Sequence, residues 1–517
     1  MIDSRVPSRE RDITPTAGLR DRRSYTSDQL AEKSLQVCPM LWPIHLVSSA
    51  DHQIHAVLQQ YHVISPQRYL LKKIIHCQTD KLNVRTNTYS GIANGRITCV
   101  NLFGYETERP IIYMQEYVPG MGEEPMNGRE RIALMMQHRF PDRIPVMCQL
   151  ALGHYFLNTD IEPHAIWFTS EGFAEALIQL QKRYRFDGIL VNLWGMPSHI
   201  LEAVVSLKTI SNEELLVWEN GEMTVIPPDD NAQHYLADKQ PLERADLETI
   251  DLDNLDTINT IKGYFWNIYH MPYIPEVTES FLPGEIPDYF FNTIDIVRSR
   301  VEKDISVHGE VYSPFTHFIE LLGYEQALMG LLTDPDRAHI LLEYLTGVSV
   351  SHAVALGNHG VDAVLISSAF AGGPFLSRDM YKEFVLPYER EVTDAVKSTG
   401  TTVYTHTCGC IGDRLDLMIE TGTMGIDTLD PPPLGNTDLK TALEELDGRV
   451  FVKGNMNPVE LLGFMTEEEV IAHATDRITI GKPKGAYILS TACSVAPRTE
   501  PWKLELLTPL AERLGVY

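Results

Sequence analysis

The sequence predicts an α/β protein built as a (β/α)8 TIM barrel, with an insertion between strands 2 and 3 and a poorly structured N-terminal extension. Three observations carry this. Eight short, near-continuous apolar runs recur between residues 144 and 490, as expected of strands buried on both faces. Most are followed by a longer stretch of helical periodicity. The alternation fills about 390 of the 517 residues, which suits a barrel core of roughly 250 residues carrying insertions.

Residues 1–125 stand apart. They hold 14 Lys+Arg against 13 Asp+Glu, whereas the rest holds 29 against 57, so the net charge of −27 belongs to the second part. His45, His52, His55, His62 and His76 are scattered, and only two stretches look regular: His55–Ile75 as helix and Arg96–Met114 as a hairpin. The segment reads either as an accessory extension, partly disordered, or as a product of start assignment, with the natural start at Met114, Met121 or Met126. The barrel is expected over 126–517.

Asn127 and Glu130 form a capping-box pattern ahead of the helix Arg131–His138. Strands are expected at Ile144–Leu150, Gly188–Leu193, Ile305–Val311, Ala363–Ser367, Thr402–Thr407, Gly425–Leu429, Val450–Lys453 and Ala486–Ser490. Helices are expected at Glu171–Tyr184, Tyr324–Leu332, Asp336–Leu356, Arg378–Ser398, Ile411–Thr421, Asp438–Leu446 and Pro501–Leu514. The span 216–290 breaks the rhythm. It opens with a hairpin, Leu216–Ile226, around Asn220-Gly221, and continues as an acidic connection. A doubly wound open sheet is the alternative arrangement, but no Gly-x-Gly-x-x-Gly opens the first helix and no Walker-type loop is present.

Chemistry in a barrel of this kind sits at the C-terminal mouth, on residues at the strand ends. Here these are Gln149, Asn192, His308 with Glu310, Ser367 with Ser368, His406 with Cys408, Asp427 with Asp430, Asn455 with Asn457, and Cys493. His406 and Cys408 are two apart on a strand and so share a face. Gly409 lets the chain turn away after them, and Cys493 follows the eighth strand across the ring. One His and two Cys make three ligands that leave a fourth position open, and two soft thiolates select zinc. The competing reading is a core histidine beside two buried free thiols. Cys410 is a substitute ligand or a packing residue. His308 and Glu310 are the candidate catalytic pair, open to substrate binding, a fourth metal position or proton transfer. Gln149, Asn192 and Asn455 are candidate cofactor contacts, although Asn455 also reads as part of a tight turn. Asp427 and Asp430 fit turn capping as well as substrate contact.

The net charge argues against gripping nucleic acid or an anionic membrane. Apolar runs break short of about 18 residues, and seven cysteines in 517 residues make no disulfide scaffold. The expected compartment is the cytoplasm.

Several motifs then fall into a known order: Arg129-Glu-Arg131, Pro141-Asp-Arg-Ile-Pro145, Tyr381-Lys-Glu-Phe384 with Pro387-Tyr388, His406-Thr-Cys-Gly409, Gly454-Asn-Met-Asn-Pro458 and Gly485-Ala-Tyr-Ile-Leu489 through Cys493. Over 126–517 the chain resembles the uroporphyrinogen decarboxylase superfamily, whose fold is a (β/α)8 barrel. That superfamily holds metal-free tetrapyrrole decarboxylases and zinc-dependent methyltransferases that move a methyl group between a corrinoid and a thiol such as coenzyme M. The decarboxylase pattern has an Arg-Gln-Ala-Gly-Arg-Tyr segment near strand 1 and an Asp after strand 2. Here Gln149-Leu-Ala-Leu-Gly-His154 stands in the first region, and 188–201 holds no carboxylate. The resemblance is closer to the methyltransferase branch, whose zinc motif maps onto His406, Cys408 and Cys493. It implies zinc, a small thiol substrate and a corrinoid on a partner protein. Two alternatives stay open: decarboxylation of a tetrapyrrole, and a barrel that binds a corrinoid or tetrapyrrole without turnover.

Overall fold

The computed structural model describes residues 126–240, 244–255, 286–301, 303–458 and 463–517, together with four strands before residue 118. The chain divides into two units, Met1–Glu123 and Glu124–Tyr517.

In the first unit β1 (Cys77–Gln78), β2 (Arg85–Ala93), β3 (Arg96–Gly104) and β4 (Ile111–Tyr117) form an antiparallel sheet in that order. β3 and β4 pair from Phe103↔Ile111 to Ile97↔Tyr117, at the place of the expected hairpin. The candidate helix His55–Ile75 lies outside the described residues.

The second unit is organised by a curled parallel sheet of seven strands. In chain order its strands are β5 (Gly188–Val191), then β10 (Ser306–Tyr312), β11 (Ala363–Ser367), β12 (Thr402–Thr407), β13 (Gly425–Thr428), β14 (Phe451–Met456) and β15 (Tyr487–Thr491), each beside the next. All are near-continuously buried, as two-sided coverage by helices requires.

The segment expected as the first strand, Ile144–Leu150, is the exception. It meets β15 through the isolated parallel bridge Val146↔Leu489 and the segment after β15 through Leu150↔Val495. Pro145 has no N–H to add to a ladder, and towards β5 one backbone bond remains, from Asp187 N–H to Val146 O at 2.8 Å. The sheet is thus barrel-like: seven strands with an extended eighth segment linking the two edges. Side chains reinforce that link. Arg143 donates to both oxygens of Asp187 at 2.8 and 3.0 Å, and Asp187 also accepts from Val146 N–H at 2.8 Å and from Arg131 at 3.1 Å. The Arg129–Arg131 and Pro141–Pro145 motifs therefore act at the N-terminal end of the strands, where they hold the ring together rather than touch the mouth.

The helix Gly128–Met136 starts on the expected capping box at Asn127 and Glu130. Its Ile132, Met135 and Met136 pack with Met147, Leu190, Leu365, Tyr404, Phe451 and Ile488, the side chains that fill the interior of the curled sheet. A second, larger core lies between the outer face of the sheet and the helices. The 25-residue helix Pro335–His359 is long and apolar enough to cross a membrane by composition. It packs against β10, β11 and the helix Leu386–Ser398.

Between β5 and β10 the chain builds an antiparallel sheet, β6 (Val204–Ile210), β7 (Glu213–Trp218), β8 (Met223–Ile226) and β9 (Gln233–Tyr235). The hairpin around Asn220-Gly221 is present as β7 and β8. The sheet starts at Val204, earlier than residue 216, because β6 is mostly exposed and carries no alternation to read. Residues 256–285 of the expected insertion lie outside the described residues.

Candidate metal centre

Two strand ends converge at the mouth. His406 is the fifth residue of β12, Cys408 follows that strand, and Cys493 follows β15. His406 Nε2 lies 3.3 Å from Cys408 Sγ and 3.8 Å from Cys493 Sγ, and the two sulfurs are 3.5 Å apart. A tetrahedral centre with Zn–S bonds of 2.3 Å and a Zn–N bond near 2.0 Å spaces its ligand atoms about 3.5–3.8 Å apart. The triangle matches that spacing, and among the described residues it is the one group of three or more His, Cys, Asp or Glu that can hold a metal ion. Cys410 stands outside it.

The surroundings fix these side chains. His406 Nδ1 is 3.1 Å from Asp427 Oδ2, so the ring presents Nε2 to the thiols. A carboxylate behind a metal-ligating histidine sets its tautomer and orientation. Asp427 is in turn held by Lys453 Nζ at 3.0 Å from each oxygen, with both residues fully buried. Burial opposes the charge on Asp427, but Lys453 and His406 outweigh it and keep the carboxyl below its ordinary range. Burial likewise opposes protonation of His406, yet Asp427 and Cys493 carry its pKa up to about 10. The hydrogen bond with Cys408, aided by His406, holds Cys493 well below the thiol range, and the same hydrogen bond raises Cys408. The pair thus favours thiolate at Cys493, the form a metal binds.

The Cys408 loop is wedged between two others. Asp430 Oδ2 accepts from Gly409 N–H at 2.7 Å, and Gly409 takes φ +79°, open to glycine at no steric cost. At Gly372 a Cβ would lie 2.1 Å from Cys408 O, so that position needs a bare backbone. Burial lifts Asp430 to about 6.

The other strand-end residues separate. Glu310 faces the barrel interior from β10, and burial raises it to about 7. His308, two residues earlier, sits mid-strand one layer deeper. Its Nδ1 is 2.9 Å from Tyr404 OH and its Nε2 3.0 Å from Ser306 Oγ, and burial lowers it to about 4. Both ring nitrogens are engaged, so His308 is a neutral core residue without contact to the triangle. Gln149 and Asn192 share a small cavity with Cys148, Tyr155, Gln181 and Phe186, and none of the three metal-site residues lines it. Asn455 is no free contact either. Its amide donates to Leu429 O at 2.7 Å and accepts from Arg477 at 2.8 Å, which ties down the turn after β13.

Lys453 was invisible as a site residue in the sequence. Its signal was a lysine closing the apolar run Val450–Lys453, since a buried ammonium requires a carboxylate partner.

Known proteins share parts of this sequence and fold. The family profile for uroporphyrinogen decarboxylase (URO-D) matches residues 276–514. The methylcobamide:CoM methyltransferase MtbA of Methanosarcina acetivorans is 25% identical over 260 residues, covering 50% of this chain and 68% of that protein. A uroporphyrinogen decarboxylase of Chlorobium luteolum is 30% identical over 245 residues, covering 45% and 65%. Among solved structures, a methyltransferase from Methanosarcina mazei superposes with a TM-score of 0.52 at 16% identity, over 75% of this chain and 99% of that one, a likeness of fold. Over residues 276–514 the chain is thus similar to the uroporphyrinogen decarboxylase family, and these relatives and the barrel-like sheet agree with that likeness.

Proposed function

We propose that the chain is a zinc-dependent methyltransferase that activates a thiol for methyl transfer from a corrinoid carried on a partner protein. The observation that supports this most strongly is the triangle of His406 Nε2, Cys408 Sγ and Cys493 Sγ, which leaves a fourth position for a substrate thiol. Two thiolates and one imidazole favour zinc over oxygen-seeking cations. Bound there, zinc would supply a lowered pKa to the incoming thiol.

This chain's own residues do the rest. Cys408 and Cys493 supply two negative charges, and Asp427 keeps His406 aimed by its Nδ1. His406 stands on a strand and Cys408 and Cys493 directly follow strand ends, which limits reorganisation. The thiolate sulfur attacks the methyl carbon, the cobalt–carbon bond breaks, and its electron pair stays on cobalt. The products are a thioether and a cob(I)alamin. The named activity of the Methanosarcina relative fits this chemistry. The proposal places the enzyme in the cytoplasm with a small thiol as substrate, and gives it no nucleic-acid or membrane role. Decarboxylation, named for the Chlorobium relative, gives the paired thiols no task.

The test is cleavage of methylcobalamin by the purified protein with added thiols, followed optically. Thiol-dependent cob(I)alamin formation that a zinc chelator abolishes and zinc restores is expected. Turnover indifferent to the chelator, or carbon dioxide released from a uroporphyrinogen, would overturn the reading.

A further inference from the structure

Two carboxylates beside the ligand triangle keep an unspent oxygen. Glu310 is 8% exposed and Asp430 3% exposed, yet Glu310 Oε2 and Asp430 Oδ1 are buried with no hydrogen-bond partner. Leaving a carboxylate oxygen unpaired away from water is expensive, so in native proteins such an atom calls for an explanation.

Their positions in the fold put both near the ligand triangle. Asp430 spends its other oxygen on Gly409 N–H, directly after Cys408. The His308 ring meets Tyr404 OH inside the barrel. Two residues further along the same two strands, Glu310 and His406 occupy the next layer towards the mouth, because alternate residues share a face. The nearby cations are already used. Lys453 is spent on Asp427, and Arg414 donates to the carbonyls of Ala371 and Leu376. Among the described residues no Lys or Arg pairs with Glu310 or Asp430.

The charge count then points to a ligand. Two cysteine thiolates already balance a divalent zinc, and an incoming thiolate adds a negative charge beside two unmatched carboxylates. A sulfonate on the substrate would add one more. An ammonium would match the carboxylates and give their free oxygens a donor.

We infer that the acceptor is a short aminothiol, its sulfur at the metal and its ammonium held by Glu310 and Asp430. This rests on the zinc–thiol reading above and narrows it to a cationic substrate class.

The test measures binding by calorimetry, using zinc-loaded protein and three two-carbon thiols: 2-aminoethanethiol, 2-mercaptoethanol and 2-mercaptoethanesulfonate. The aminothiol is expected to bind about tenfold more tightly than the alcohol, the gain of one charge-assisted contact, with the sulfonate weakest. Glu310→Gln and Asp430→Asn should each bring the aminothiol and the alcohol close to parity, with zinc content measured alongside; the Asn side chain retains an acceptor for Gly409 N–H. Equal binding of all three thiols, or preference for the sulfonate, overturns the inference and leaves the zinc–thiol reading standing. Binding of none of them by zinc-loaded protein overturns both.

Discussion

Cys493→Ala is expected to take the purified protein from about one zinc per chain to nearly none, the largest effect of any single substitution at this site. Cys493 is the one candidate ligand that follows β15, while His406 and Cys408 lie at the end of β12. The two that remain, His406 Nε2 and Cys408 Sγ at 3.3 Å, form only one edge of the ligand set. Cys410 is not part of the group, so Cys410→Ala should leave the metal in place. Metal analysis by mass spectrometry decides the matter. Retention of a full equivalent by Cys493→Ala would mean that the metal sits elsewhere.

Asp427→Ala should damage stability and metal binding together, for two separable reasons. Lys453 is 1% exposed, and its ammonium meets Asp427 at 3.0 Å from both oxygens. Removing one partner of a buried pair leaves an uncompensated charge, a loss of about 3–5 kcal/mol. The histidine also loses its orienting carboxylate, and such changes lower metal affinity by about 10–100-fold. Denaturant unfolding of metal-free protein reads the first effect and competitive zinc titration the second. The double variant Asp427→Ala, Lys453→Met separates them: it should recover much of the stability but not the metal affinity. Full recovery of zinc affinity would show that Asp427 serves only as the counter-ion of Lys453.

What could be read from the sequence follows from what burial does to residue patterns. Strands covered on both faces appear as unbroken apolar runs, so β11 and β12 begin and end where expected. The helix Pro314–Leu322 escaped notice because all nine of its residues are buried, which erases the 3.6-residue period that marks a half-covered helix. The first strand looked complete because its side chains are apolar, but Pro145 interrupts its ladder, a property of the backbone that apolar pattern does not report.

At the site, two-residue spacing on one strand brought His406 and Cys408 to the same face, and the ring of strands returned Cys493 to meet them. Spacing alone could not assign depth. His308 shares its face with Glu310, yet as the third residue of a seven-residue strand it belongs to the layer below the mouth. Hydrogen bonds decided the rest. Asn455, read in the sequence as a candidate contact or part of a tight turn, is saturated in the fold, whereas Asp427, read there as a turn cap or a substrate contact, orients His406.

The central claim is that His406, Cys408 and Cys493 bind one zinc ion and leave a position for a substrate thiol. Zinc K-edge X-ray absorption of the purified protein, with and without 2-aminoethanethiol, tests it most directly. The account predicts two sulfur and one nitrogen ligand plus one light atom in the resting protein, and a third sulfur when the thiol is added. A zinc shell without sulfur, or one that keeps two sulfurs at saturating thiol, would contradict it.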